Sequence, residues 1–205
     1  MKLVERIFKI LLSGMFIFYC FSSEAQNFNA SLILGMNAAQ IDGDQLYGYN
    51  KPGLQAGFAI SREYRVGIDF TLEFLYCQRG SQDGFSFGGR DDEKLRTSLD
   101  YVSFPMLMEF HLIKDVDDRY RFKIYPGIAY SYLIDGTSPG GGIVDNENFR
   151  THDISYVAGL SYLLVKGCWI GFRYTRGLIG VIDIPTRNEE ALSSYFLNFR
   201  MEVDL

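Results

Sequence analysis

Past its first two dozen residues the chain has no run of about 18 apolar residues, the length a membrane-crossing helix requires, so helices cannot anchor it in a bilayer. Cysteine is scarce. Of the three, Cys20 lies in the N-terminal segment, which leaves Cys77 and Cys168 and at most one disulfide. Histidine occurs twice, at His111 and His152, and basic charge is in the minority, with 20 Lys and Arg against 25 Asp and Glu for a net charge of −5. An acidic chain of this kind is a poor partner for nucleic acid.

The N-terminus reads as an export signal. Lys2, Arg6 and Lys9 precede an apolar run from Ile10 to Phe21, and the small-residue site Ser23-Glu24-Ala25 follows. This order predicts a signal peptide over residues 1–25, cut after Ala25. Phe18 and Tyr19 stand before Cys20 where lipoprotein processing needs small side chains, which argues against a lipid anchor there. Cleavage removes three basic and two acidic residues and leaves 17 against 23, a net charge of −6. Residues 26–205 are then one domain by length.

What the mature chain does have is alternation. Period two marks a strand with different surroundings on its two faces. Phe28, Ala30, Leu32, Leu34 and Met36 alternate with Asn29, Ser31 and Gly35, and Leu54, Phe58 and Ile60 alternate with Gln55, Gly57 and Ser61. Val66 to Tyr76 sets Ile68, Phe70, Leu72 and Phe74 against Asp69, Thr71 and Glu73. The same pattern recurs over Val102 to Leu112, Tyr120 to Ile134, Ile154 to Leu164, Trp169 to Gly177 and Tyr195 to Leu205, giving eight strands. Pro105 sits inside the fourth, and since proline cannot donate to a ladder, a local bulge is expected there. Arg176 breaks the parity of the seventh and, at the strand's end, can reach headgroups.

Connections alternate between long and short. Asn37 to Pro52, Arg79 to Arg96, Asp135 to Thr151 and Leu178 to Ser193 are long and rich in Gly, Asp, Asn and Ser, whereas Arg62 to Arg65, Lys114 to Arg119 and Val165 to Cys168 are short. Short periplasmic turns with longer external loops are the asymmetry of outer-membrane barrels.

Parity alone does not say which face is outside, since a soluble barrel puts its apolar face inward. Size decides. The polar face carries Gly57, Gly67, Gly127, Gly159 and Gly171, small enough for a narrow lumen, whereas the apolar face is bulky and carries Tyr76, Tyr120, Tyr130, Tyr132, Tyr162, Tyr174 and Tyr195 for interfacial girdles. Charges of both signs, Asp69, Glu73, Glu109, Arg121, Lys123, Arg173, Arg200 and Glu202, share the polar face. In lipid each would cost about 2–4 kcal/mol at midplane. Inside, they can pair, and they are expected to form a structural network that plugs the lumen. The expected fold is therefore all-β, an eight-stranded antiparallel up-and-down transmembrane barrel.

With these segments placed, the sequence resembles the PorT-like outer-membrane β-barrel family of Bacteroidota. The likeness is carried by Gly35-Met36-Asn37 through Ile41-Asp42-Gly43-Asp44, by Gly48-Tyr49-Asn50-Lys51-Pro52-Gly53, by Glu73 through Gly80, by Leu99-Asp100-Tyr101-Val102-Ser103-Phe104-Pro105, and by Pro126-Gly127, Arg173-Tyr174 and the alternating C-terminus. Ser103 stands where the family often has an acid. The resemblance implies an outer-membrane location and contact with outer-membrane lipid and lipopolysaccharide. It also implies a candidate role beside export-machinery proteins, since the namesake belongs to a secretion system.

Candidate chemistry is sparse. His152-Asp153 at the loop end, with Ser98 and Asp100 near, could form a base and its orienter in a rim enzyme acting on lipid or peptide, but ordinary rim residues are the simpler reading. His111, at the opposite end, is too far away to join it. Cys77 and Cys168 are expected at opposite ends as well, beyond the ~7 Å between Cα atoms that a disulfide spans. Asp42-Gly43-Asp44, Asp91-Asp92-Glu93 and Asp115-Val116-Asp117-Asp118 lack the twelve-residue calcium-loop spacing and read as solvated charge. Pro139-Gly140-Gly141-Gly142 has no helix after it to bind a phosphate and reads as loop. The expectation is a monomeric, non-enzymatic barrel with no cofactor, structural or docking through its external loops. An export accessory is the first alternative and a rim enzyme the second.

Overall fold

The structure, a computed structural model, describes residues 28–41, 51–82, 96–137, 150–178 and 194–205. The proposed signal peptide, the acidic clusters at 42–44 and 91–93 and the glycine stretch at 139–142 lie outside the described residues. Eight strands run in chain order: β1 Phe28–Ile41, β2 Lys51–Arg65, β3 Ile68–Gln82, β4 Arg96–Lys114, β5 Tyr120–Thr137, β6 His152–Val165, β7 Cys168–Gly177 and β8 Ser194–Asp204. Each pairs antiparallel with its neighbour in sequence, and β1 pairs with β8 from Ser31↔Asp204 to Ile41↔Ser194, closing the barrel. Closure leaves no open sheet edge around the wall, the condition for a strand structure to sit in lipid.

Connections at one end are tight. β2–β3 and β6–β7 each close on a glycine with φ +78°, Gly67 and Gly167, and each shows a one-residue register shift just before it, at Glu63/Arg65 and Leu163/Val165. A left-handed residue beside a bulge matches the turn to the right-handed twist of its strands, and glycine adopts it without a Cβ clash. The β4–β5 turn is longer. The Asp115 amide donates to the Arg119 carbonyl at 2.8 Å, and Asp118 takes φ 58°, a conformation aspartate tolerates. At the other end the connections are longer, over residues 42–50, 83–95, 138–151 and 178–193.

The expected bulge at Pro105 is not found. From Leu72↔Met106 to Leu75↔Ser103 the two strands advance by equal counts, and Pro105 keeps its pairing with Ala129 on the β5 side. The β3 ladder instead lacks pairs at Pro105 and Phe104, so the wall gives up bonding locally without changing register. Pro126 repeats the device in β5, paired with Ala158 while the β4 ladder has a gap. The shift in β4 lies at Asp100/Tyr101, near the long-loop end.

Several sequence boundaries also move: β1 runs on to Ile41, β2 starts at Lys51, β4 starts at Arg96 and β5 ends at Thr137. Val66 and Gly67 belong to the turn, not to β3. At its other end β3 continues to Gln82, so Arg79 is not the start of a loop but a strand residue, 2% exposed inside the lumen.

The faces fall as size predicts. Leu32, Leu34, Met36, Leu54, Phe58, Phe70, Ile128, Leu160, Phe172 and Phe199 point outward and are exposed, whereas Ser31, Gln55, Thr71, Glu73, Lys123, Arg173, Asn198 and Arg200 are buried inside. Outward rings form a belt across four strands: Phe58 stacks on Phe74 at 5.0 Å, Phe74 meets Phe104 edge-on at 5.5 Å, and Phe104 stacks on Tyr130 at 6.3 Å. The lumen is less uniformly polar than parity implied. Ile33, Ala59 and Leu75 form one inward apolar cluster, Leu107, Tyr125, Ala129 and Val157 another, and Ala39, Cys77 and Phe196 a third. These clusters surround the charges with low-dielectric walls, which strengthens every pairing between them.

Candidate functional site: the charged lumen

Glu73 stands at the middle of the lumen. Its Oε2 accepts from Arg173 Nη1 at 2.7 Å and its Oε1 from Arg173 Nη2 and Arg200 Nη2, each at 2.8 Å. Both side chains of the Glu73–Arg173 pair are 1–2% exposed. The fork-to-fork geometry is the strongest form of carboxylate recognition, and the planar guanidinium fixes both partners. Gly57 makes room beside this group: a Cβ there would lie 1.9 Å from the Phe74 carbonyl oxygen and 2.9 Å from Leu75 Cδ2.

Toward the turn end a second group follows. Lys123 Nζ donates to Glu109 Oε2 at 3.1 Å and to both oxygens of Glu202 at 3.0 Å, and lies 4.9 Å over the Trp169 ring. Arg200 reaches Glu202 at 3.8 Å and so joins the two groups. Glu73, Glu109 and Glu202 thus meet Arg173, Arg200 and Lys123 in one balanced cluster, the condition under which buried charge is tolerated. Of the eight charges expected in the network, these six come together.

The other two do not. Arg121 turns toward the mouth and binds Asp115 of the β4–β5 turn, so it belongs to the rim. Asp69 pairs with His111 Nε2 at 3.0 Å, apart from the central cluster. Below them Asp204 accepts from Ser31 Oγ at 3.0 Å and Trp169 Nε1 at 3.4 Å.

Toward the loop end the structure shows a group absent from the expected network. Arg79 donates to Asp153 Oδ2 at 2.7 Å and to Ser103 Oγ and Ser131 Oγ at 2.9 Å, and its guanidinium lies 4.7 and 4.6 Å from the Tyr101 and Phe196 ring centres. Asp153 also accepts from Ser155. Arg79 followed by Gly80 looks like a loop start, but it keeps the odd parity of Asp69, Thr71 and Glu73, and that parity was the available signal. Beside it Asn198 donates to Asn37 at 2.8 Å, and Asn37 donates to Cys77 Sγ at 3.2 Å.

This placement removes the rim dyad. Consecutive strand residues face opposite sides. Asp153 points inward to Arg79, while His152 points outward, its Nδ1 2.7 Å from the Tyr130 hydroxyl and its ring edge-on to Tyr132. Asp100 is also taken, accepting from the Tyr76 hydroxyl at 2.8 Å. Cys77 is buried at the loop end of β3, Cys168 opens β7 at the turn end, and both are free.

Between the Arg79 and Glu73 groups the structure leaves a cavity of about 10 Å³, lined among others by Gln55, Arg79, Ser103 and Arg173, which is room for about one water. Charged struts above and below it span the lumen from wall to wall.

At the turn end, outside the membrane span, the hydrogen bond from Arg121, and after it the Val116 amide, hold the Asp115 carboxyl below its usual range.

The chain belongs to the outer membrane protein beta-barrel domain family, whose profile matches residues 24–183. Among solved structures it is similar to the Neisserial surface protein A, with 13% identity over 87% of this chain and 97% of that one and a TM-score of 0.51. It is also similar to Ail, the attachment invasion locus protein of Yersinia pestis, with 13% identity, 87% and 98% coverage and a TM-score of 0.47. OprG from Pseudomonas aeruginosa matches at 10% identity, 87% and 96% coverage and a TM-score of 0.44. No curated protein matches significantly. Family and fold together make this an eight-stranded β-barrel protein of the bacterial outer membrane.

Proposed function

Taking that family as the premise, we propose that the protein is a sealed, monomeric scaffold, exported through cleavage after Ala25, that docks surface partners on its long connections. The observation that carries this reading is the strut from Glu73 to Arg173 and Arg200, backed by Lys123 and by Arg79–Asp153, which crosses the lumen at three heights. On this reading the struts block the passage of solutes, which leaves the two ends to act. Outward Tyr130, Tyr132 and His152 suit the lipopolysaccharide headgroup level. With His152 and Asp153 on opposite faces, these two residues form no dyad on which enzymatic activity at the rim could rest.

A second reading, an accessory of protein export as the PorT-like resemblance implies, is favoured by the apolar tips of the short turns, where Val66 is 82% and Val116 99% exposed. Photo-crosslinkers at Leu178 on the loop end and Val116 on the turn end separate the two. Scaffold display predicts adducts from Leu178, background from Val116 and an unchanged secretome when the protein is deleted. Adducts from Val116 together with loss of secreted proteins would replace it with the export reading.

A further inference from the structure

Carboxylates gather at the turn end of the lumen. Glu109 and Glu202 share Lys123, and Glu202 also meets one edge of Arg200, which is already committed to Glu73, while Asp69 pairs with His111 and Asp204 with Ser31 and Trp169. Lys114, Arg119 and Arg121 of the β4–β5 rim pair with Asp118, Asp117 and Asp115 of the turn itself. Within this region Asp69 and Glu109 are direct cross-strand partners on the lumen face. Like charges directly opposite repel, so a cation held between them would stabilise this pairing. Lys123 serves Glu109 but divides itself with Glu202, and among the described residues Asp69 pairs with the His111 imidazole.

We propose that Asp69, Glu109 and His111 form a binding site for a divalent transition-metal cation, with Zn2+ the best fit, at the turn-end mouth of the barrel. One ligand atom from each residue lies within 4.8 Å of the others. Tetrahedral zinc with bonds of about 2.0 Å places its ligand atoms about 3.3 Å apart. His111 Nε2 and Asp69 Oδ2, 3.0 Å apart, already stand at that spacing. Glu109 supplies the third ligand by leaving Lys123, which keeps both oxygens of Glu202. One nitrogen and two carboxylate oxygens leave a fourth position for water, and this donor set suits zinc better than calcium or magnesium, which favour all-oxygen shells.

The surroundings fit the role. The His111 ring is braced between Tyr120 at 5.5 Å and Trp169 at 6.0 Å, and its backbone amide donates to the Gly67 carbonyl at 2.8 Å, which fixes it beneath the β2–β3 turn. Asp69 and His111 keep 16% and 14% of their side-chain surface exposed, so an ion can enter from the aqueous side, while Glu109 closes the site from within at 5%. The site links β3 to β4, and bound metal would clamp the turn end of the barrel.

The test uses the full mature chain refolded in detergent micelles, in a Cys168→Ser background so that the thiol at the same end cannot contribute. Titration with Zn2+ by calorimetry should give one site per chain. Co2+ should give the visible absorption of a tetrahedral ion without a thiolate charge-transfer band. His111→Ala and Asp69→Asn should each weaken Zn2+ binding at least thirty-fold while the barrel keeps its heat-dependent migration shift, and Glu109→Gln should weaken it less. Absence of a single saturable site, or Zn2+ affinity unchanged in both His111→Ala and Asp69→Asn, would overturn the proposal. A variant that loses its migration shift is replaced by His111→Gln, to which the same two outcomes apply.

Discussion

Glu73 and Arg173 lie 100 residues apart in sequence and four strands apart in the barrel, yet their side chains meet through two hydrogen bonds of 2.7 and 2.8 Å. In a ring of eight strands, β3 and β7 are diametrically opposed. The pair is therefore a strut across the full lumen, and Arg200 from β8 braces it.

Removing the acid should cost more than removing the whole group. Glu73→Ala leaves two buried guanidinium groups without their carboxylate and should destabilise the barrel by about 3–5 kcal/mol. Replacing Glu73, Arg173 and Arg200 together by Met and Leu should recover most of that loss, because well-packed apolar groups replace buried ion networks at little net cost. Urea unfolding in lipid vesicles reads both. Equal losses in the single and triple variants would show that the strut does not act as a unit.

Gly57 is a packing necessity. Its missing Cβ would meet the Phe74 carbonyl oxygen, a backbone atom that cannot swing aside. Gly57→Ala should destabilise at or above the upper end of the about 1–3 kcal/mol typical of overpacking. Gly159 faces the Tyr125 ring, where a Cβ would fall 2.3 Å from Cε2, and because a side chain can yield, Gly159→Ala should cost less. Thermal unfolding of the two variants ranks them, and the reverse order would contradict the geometry.

The outward belt should behave as lipid-facing surface. Phe74→Arg places a charge among Phe58, Phe104 and lipid, and should cost about 2–4 kcal/mol in vesicles. The same change at Val116, fully exposed in the turn, should be close to neutral. A Phe74→Arg barrel that folds into vesicles as stably as the wild type would mean that this face does not meet lipid.

Turn-end order should depend on acid. The Asp115 carboxyl is held below its usual range by Arg121 and the Val116 amide, so it favours the folded turn above the unfolded-state carboxylate range. That contribution is lost as pH falls through the depressed folded value. Hydrogen exchange of the Val116 amide, which donates to Asp115, should therefore accelerate relative to neighbouring amides on acidification below the usual carboxylate range, and Asp115→Asn should abolish the dependence. An unchanged profile in that variant would remove Asp115 as the cause.

Ile113 sits at φ 54° with 68% of its surface exposed, a conformation that crowds a β-branched side chain. Asparagine tolerates it, so Ile113→Asn should stabilise the barrel by up to about 1 kcal/mol, read as a shift in the urea midpoint. Destabilisation instead would mean that the apolar contact of Ile113 outweighs its backbone strain.

Much of this was legible in the chain. Alternation located all eight strands, and the choice of outer face followed from where Gly57, Gly127, Gly159 and Gly171 lie, because lumen width is a size constraint that composition records. Partnership across the lumen was not legible. Which strand opposes which depends on closure, and which residues meet at one height depends on register, so Glu73 could be placed inside but not against Arg173. The same gap hid the approach of Asp69 to Glu109 and His111, which requires the β3–β4 register. Arg79 was lost to a local cue, Gly80, that outweighed parity, and Pro105 was expected to bulge although a wall can omit ladder bonds without shifting. His152 and Asp153, adjacent in sequence, could have been separated by parity alone.

Planar-bilayer recording on the refolded mature chain tests the sealed lumen most directly. With Glu73, Arg173, Arg200 and Lys123 bridging the walls, the wild-type barrel should show no discrete single-channel steps at moderate voltage, and Glu73→Ala should show steps or raised noise where it still folds. Stable, uniform channel openings from the wild-type protein would contradict the account.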